Sequence, residues 1–265
     1  MSDSLPGDEF WALIRPYTGA VSQVQRTARG FSSDLTALVE CDTGSFFVKA
    51  VANRPGGRRE SIIRERQINP TVVPISPELL WCAESDEWIV LGFVAVSGRL
   101  SVLGPGSDDL PAVVALLNRI GAVPLPDMAQ GWTETRWDRH TGDEAEALLF
   151  RGDALLYTDI NPSNLLIGAQ DSWAVDWAWP TRGAAFIDPA CLVVQLVAAG
   201  HTAEVAESWA AHCPAWVNAE PRAVDAFAAA TVRMYRQFAQ RKPGSWLEAM
   251  AAAAEEWTAL RGVTL

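Results

Sequence analysis

The feature that most limits how this chain can fold is a change of periodicity near residue 97. Before it, short apolar and alternating runs follow one another: Val21 to Gln25, Leu35 to Cys41, Ser45 to Val51, Leu79 to Glu84 and Glu87 to Val94. Runs of this length and composition, bounded by small polar turns, read as β-strands. A helical segment over residues 57–69 interrupts them, and Pro70 is expected to stop it. An amphipathic opening segment over 10–20, ending at Pro16 and Gly19, precedes the strands. After residue 97 the pattern turns helical. Asp109 with an early Pro opens one helix, Asp143 to Phe150 forms another, and Pro189 to Ala199 a third, with Asp188 as its N-cap. Two further helical faces follow, Pro221 to Phe238 and Trp246 to Leu260, and their apolar stripes are expected to be core. The expectation is an α+β chain: an antiparallel β-sheet lobe with one main helix over residues 1–97, and a mostly helical lobe over 98–265.

Composition removes several classes of function. A formal charge of -11 argues against a nucleic-acid partner, because phosphate backbones need basic surface. The same field suits cationic small molecules, or serves solubility alone. The longest apolar run, Ala190 to Ala199, is interrupted by Gln195 and too short to span a bilayer. The acidic opening residues do not resemble a signal peptide. With 4 scattered Cys and 3 His, neither a zinc site nor a disulfide framework is expected, which fits reduced thiols in a cytoplasm. The sequence lacks G-x-x-x-x-G-K-[ST], G-x-S-x-G and H-E-x-x-H, so P-loop, α/β-hydrolase and zincin chemistry lose support.

The chemistry gathers on Leu155 to Ile167. There Asp159 and Asn164 sit on a Pro-containing turn between two apolar runs. Downstream, Trp173-Ala174-Val175-Asp176-Trp177 offers a second carboxylate. Leu165 to Gly168 and Trp173 to Val175 read as a hairpin around Gln170-Asp171, which would bring Asn164 and Asp176 onto adjoining strand ends to share one cation. Lys49, inside the apolar run Phe46 to Val51, is either an outward lysine on an edge strand or a buried charge with a partner. If it has one, Glu65 is the better candidate than Glu60, because Glu65 shares a helical face with Ile62. A solvated Glu65 is the plainer alternative. Gly30 to Asp34 is a small polar turn whose N–H groups suit phosphate oxygens, or an ordinary hairpin turn. Trp177 and Trp179 pack in the core or stack on a ligand.

Taken in order, Lys49, Glu65, Asp159, Asn164 and Asp176 resemble the protein-kinase-like superfamily, and within it the aminoglycoside phosphotransferase family. Against that family's H-x-D-x-x-x-x-N motif stands Tyr157-Thr158-Asp159-Ile160-Asn161-Pro162-Ser163-Asn164. Its magnesium aspartate looks like Asp176, and its step to the next helix looks like Gly183 to Asp188. The resemblance implies a two-lobed kinase-like fold, ATP or GTP with Mg²⁺, and transfer of a γ-phosphoryl group to a substrate hydroxyl. It makes Asp159 the base, Asn164 and Asp176 the metal ligands, and Lys49, oriented by Glu65, the contact to the α- and β-phosphates. Phe93 and Val94 would belong to a hinge receiving adenine through backbone groups, and Asp188 would anchor the catalytic loop, residues 155–164. The family's usual His is Tyr157 here, which keeps a second reading in play: a kinase-fold protein that binds nucleotide or another ligand without turnover.

Only eleven residues separate Asp176 from Asp188, too few for a protein kinase's activation segment and peptide platform. Asn161 stands where protein kinases typically carry Lys. The expected acceptor is therefore a small hydroxylated molecule. A cationic one suits the acidic balance and would connect the protein to antibiotic resistance; choline-like, homoserine-like and macrolide acceptors stay open. No obligate protein partner is evident.

Overall fold

The computed structural model describes residues 5–27 and 33–265. The turn expected at Gly30 lies, for Gly30 to Ser32, outside the described residues. The chain packs into two compact units: one takes it up to Ser97 together with Val175–Trp179, the other comprises Gly98–Ala174 and Pro180–Leu265. Asp176, which sequence order places among residues 98–265, thus packs with the first unit.

In the first unit, α1 (Asp8–Thr18), β1 (Val21–Arg26), β2 (Leu35–Cys41), β3 (Gly44–Ala52), α2 (Gly57–Val72), β4 (Leu79–Glu84) and β5 (Trp88–Val94) follow in order. The strands form one antiparallel sheet, arranged β1-β2-β3-β5-β4. Period-two alternation gives each face its own core. Phe10 and Ile14 of α1 pack with Leu35, Ala37, Val39, Val48 and Ala50 on one face. Ile62 of α2 packs with Val51, Ile89, Leu91 and Phe93 on the other. Fully burying a side chain such as Ile62 stabilises by about 1.5–3 kcal/mol. Gly92 lets the sheet close on Trp81, since a Cβ there would lie 2.0 Å from the indole ring. The first helix ends at the expected Gly19, with Pro16 inside its last turn, whereas Pro70 does not stop α2, which continues to Val72, because a proline in the last turn forfeits only one N–H bond.

The second unit holds β6 (Arg99–Leu100), α3 (Leu110–Gly121), α4 (Glu144–Leu148), β7 (Ala154–Leu156), β8 (Leu165–Ile167), β9 (Ser172–Ala174), β10 (Thr181–Gly183), α5 (Ile187–Ala198), α6 (Ala203–Ala210), α7 (Pro214–Val217), α8 (Pro221–Arg241) and α9 (Trp246–Leu260). Two small antiparallel sheets, β10-β7 and β6-β8-β9, flank the turn that carries Asp159 and Asn164. Helices form the bulk. Phe227 of α8 is fully buried at the centre of an aromatic cluster with Trp137, Phe150 and Phe186. The stripe expected on α9 holds at Met250, Ala253 and Trp257, but Trp246 and Leu260, at its two ends, are exposed. Among the described residues no helix is long and apolar enough to cross a membrane.

Candidate active site

Within the first unit, Lys49 lies on the central strand β3, opposite Thr36 on one side and Leu91 on the other. It is not an edge lysine. Alternation turns Val48 and Ala50 toward the α1 face, leaving Lys49 toward α2, where it is 4% exposed. The helical phase that buries Ile62 also buries Glu65, whose Oε2 accepts from Lys49 Nζ at 2.6 Å. Asp176 Oδ1 accepts from the same ammonium at 2.6 Å. Burial works against the charge on Lys49, yet Glu65 and Asp176 together hold its pKa above the ordinary value. Burial pushes Glu65 upward against the pull of Lys49, and the charge of Asp176 adds to the rise. One ammonium thus serves two carboxylates.

Asp176 has φ of 61°, a left-handed conformation costing on the order of 1–3 kcal/mol for a residue other than glycine. Its neighbours hold it there. Trp177 is 1% exposed and gives Glu65 a backbone hydrogen bond, while the exposed Trp179 ring lies under the Arg64 guanidinium at 5.0 Å. Trp177 is thus core. Trp179 stacks, but on α2.

The second unit builds its group on the turn between β7 and β8. Asp159 is exposed, and its two carboxylate oxygens accept from different amides: Oδ1 from Asn161 Nδ2 at 3.0 Å and Oδ2 from Asn164 Nδ2 at 2.7 Å. Below it the backbone is tightly constrained. The Asp159 N–H donates to Tyr157 O at 2.8 Å, closing a three-residue turn around Thr158, whose φ is 60°. The buried Asp188 carboxylate accepts the Tyr157 N–H at 3.0 Å and the Thr158 N–H at 2.7 Å. Asp188 is the second residue of α5, with Phe186 as N-cap, so its carboxylate serves the loop instead of capping its own helix. Burial pushes its pKa up to about 6 despite these two bonds. Tyr157 is 2% exposed and supports the turn from inside the core.

The hairpin expected after the turn forms, with Leu165 opposite Ala174. Because the Asn164 amide nitrogen donates to Asp159, its oxygen is the atom that could serve as a cation ligand. A carboxylate and an amide oxygen are hard donors that suit Mg²⁺, which typically takes one or two protein oxygens and completes its shell with phosphates and water. Phe93 and Val94 lie in β5, paired with β3 and β4, and the Val94 N–H already donates to Glu78 O at 2.9 Å. The ladder ends there, and residues 95–98 leave it.

Sequence reasoning missed Glu134 and Arg136. Glu134, 1% exposed, accepts from Arg136 Nε at 3.0 Å on each oxygen and from the Thr181 hydroxyl at 2.6 Å. Burial opposes its charge, but these donors hold its carboxyl below the ordinary value. Arg136 Nη2 also donates to Thr158 Oγ1. Nothing in Thr133-Glu134-Thr135-Arg136 signals this role, since charges two apart in an irregular segment match no period.

No family model matches the chain, and no curated protein does. Solved structures do match along its length. They include choline kinase LicA from Streptococcus pneumoniae (12% identity, 95% of this chain and 98% of that one, TM-score 0.63). Amicoumacin kinase hAmiN, in complex with AMP-PNP, Ca²⁺ and Ami, matches at 13% identity over 96% and 94%, with TM-score 0.58. A thermostable mutant of aminoglycoside phosphotransferase APH(4)-Ia matches at 13% identity over 95% and 98%, with TM-score 0.56. The chain has the kinase-like fold of these small-molecule kinases.

Proposed function

We propose that the protein is an ATP- or GTP-dependent phosphotransferase that moves the γ-phosphoryl group onto a hydroxyl of a small acceptor. The observation that supports this most is the state of Asp159: exposed, both oxygens oriented by Asn161 and Asn164, with the backbone of the two preceding residues, Tyr157 and Thr158, pinned by Asp188. Phosphoryl transfer asks little covalent chemistry of a protein and much positioning. Asp159 accepts or orients the proton of the acceptor hydroxyl. Lys49, fixed by Glu65, meets the α- and β-phosphates, exchanging part of its present contact with Asp176 for phosphate oxygens. Asn164 Oδ1 and the Asp176 carboxylate are the groups that would hold Mg²⁺, which would supply charge neutralisation to the nucleotide phosphates. With the Val94 N–H engaged in the sheet, the adenine contact falls to the exit from β5, next to the expected Phe93 and Val94.

The acceptor is a small hydroxylated molecule. The names of the similar structures include choline, amicoumacin and aminoglycosides, and the acidic balance of this chain suits a cationic acceptor of that kind. Tyr157 in the usual His position does not weaken the reading. It is buried under the loop, so the change leaves the exposed carboxylate and its two amide partners in place. Incubating the protein with γ-labelled ATP or GTP, Mg²⁺ and a panel of hydroxylated amines should label an acceptor. Calorimetry should show that Asp176→Ala weakens Mg²⁺–nucleotide binding. Tight nucleotide binding with no labelled product across the panel would favour a non-catalytic binding protein instead.

A further inference from the structure

We infer that Arg136 is a positioning residue for Asp159, acting by holding Thr158 in the left-handed backbone conformation from which Asp159 projects. For its effect on turnover the inference rests on the phosphotransferase reading; its geometry does not.

Thr158 is β-branched and has φ of 60°, a combination that persists only where the surroundings enforce it. Backbone contacts supply part of that enforcement: the Thr158 N–H on Asp188 Oδ1 at 2.7 Å, and the Asp159 N–H on Tyr157 O at 2.8 Å. Any residue at 158, glycine included, could make both. The side chain adds something specific. Thr158 Oγ1 donates to Tyr157 O at 2.7 Å and accepts from Arg136 Nη2, so the hydroxyl is clamped between the turn and the guanidinium. Its one proton and one of its lone pairs account for both bonds.

Arg136 can serve as a clamp because it is itself fixed. Its Nε bonds both Glu134 oxygens at 3.0 Å, and its own backbone N–H donates to Glu134 Oε1 at 2.7 Å. Glu134 is buried, takes the Thr181 hydroxyl, and is tied to β10 by its N–H on Arg182 O at 2.8 Å. A rigid strand is thereby connected through Glu134, Arg136 and Thr158 to the residue before Asp159. The Asn161 and Asn164 amides orient the Asp159 carboxylate, but where that side chain starts is set by this backbone.

The test is a double-mutant cycle between Arg136→Ala and Thr158→Gly. Arg136→Ala should lower kcat by about 10- to 100-fold, the scale of a misplaced reacting group, with the nucleotide KM unchanged. Glycine adopts the left-handed conformation without strain, so in the Thr158→Gly background the loss on removing Arg136 should shrink to within about threefold, well below the tenfold step expected without it. Thermal melting reads the same coupling without any turnover: Thr158→Gly should raise the Tm of Arg136→Ala and fail to raise that of the wild type. Equal losses of kcat in both backgrounds, or equal Tm shifts, would overturn the inference. If the wild type labels no acceptor, the reading of Asp159 fails on its own and the melting comparison alone decides the role of Arg136.

Discussion

The two groups of candidate site residues are held in place by different physics. In the first unit, Lys49 and Glu65 are buried, and charge pairing with Asp176 keeps all three in position. In the second, Asp159 is exposed, and its position comes from the Tyr157 and Thr158 N–H bonds to Asp188 just before it and from the side-chain amides of Asn161 and Asn164. A buried ion is costly to leave unpaired, whereas an exposed carboxylate costs little to remove. The first group should therefore report on stability, and Asp159 on turnover alone.

The sharpest way to break this contrast is Lys49→Met. It leaves two carboxylates facing each other without a cation, so urea unfolding should show a loss of about 3–5 kcal/mol. Asp159→Asn, at the exposed end of the contrast, should change stability by no more than about 0.5 kcal/mol in the same measurement. Equal losses would erase the distinction. Asp188→Asn tests the backbone anchor. It offers one acceptor where two N–H groups converge, and should cost about 1–3 kcal/mol in urea unfolding.

Asp188 also sets a pH dependence. Its carboxyl is raised from 3.8 to about 6, so within that window the folded state binds a proton that the unfolded state does not. Its contribution to stability therefore falls as pH rises from about 4 to about 6, and is level above. The Tm margin of the wild type over Asp188→Asn should decline across that window; a margin that grows would contradict the assignment. The smallest effect belongs to Trp179→Ala, which removes the stack on Arg64 and should cost about 0.5–1 kcal/mol by thermal melting, as exposed cation–π contacts do.

Much of this was legible in the sequence because it obeys a period. Alternation located all five strands of the first sheet, and the 3.6-residue helical phase that buries Ile62 also pointed Glu65 toward Lys49. What escaped has no period. The place of Lys49 on a central strand depends on the order β1-β2-β3-β5-β4, which only long-range pairing reveals. Asp188 reads as a cap by local rules; only the family resemblance pointed it to the loop backbone, where its partners lie 30 and 31 residues away. Thr158 gives no hint of a left-handed backbone, since threonine disfavours it, and the Glu134–Arg136 pair that supports it sits in irregular chain. The exit from β5 escaped for a related reason: apolar composition marks where the strand runs, but not where its hydrogen bonds end.

The most direct test of the central claim compares phosphoryl transfer by the wild type and Asp159→Asn at saturating Mg²⁺–nucleotide and acceptor. The account expects a fall in turnover of about 10²–10⁴-fold, the scale of a lost general base, with nucleotide affinity unchanged. Turnover equal to wild type in Asp159→Asn would contradict it.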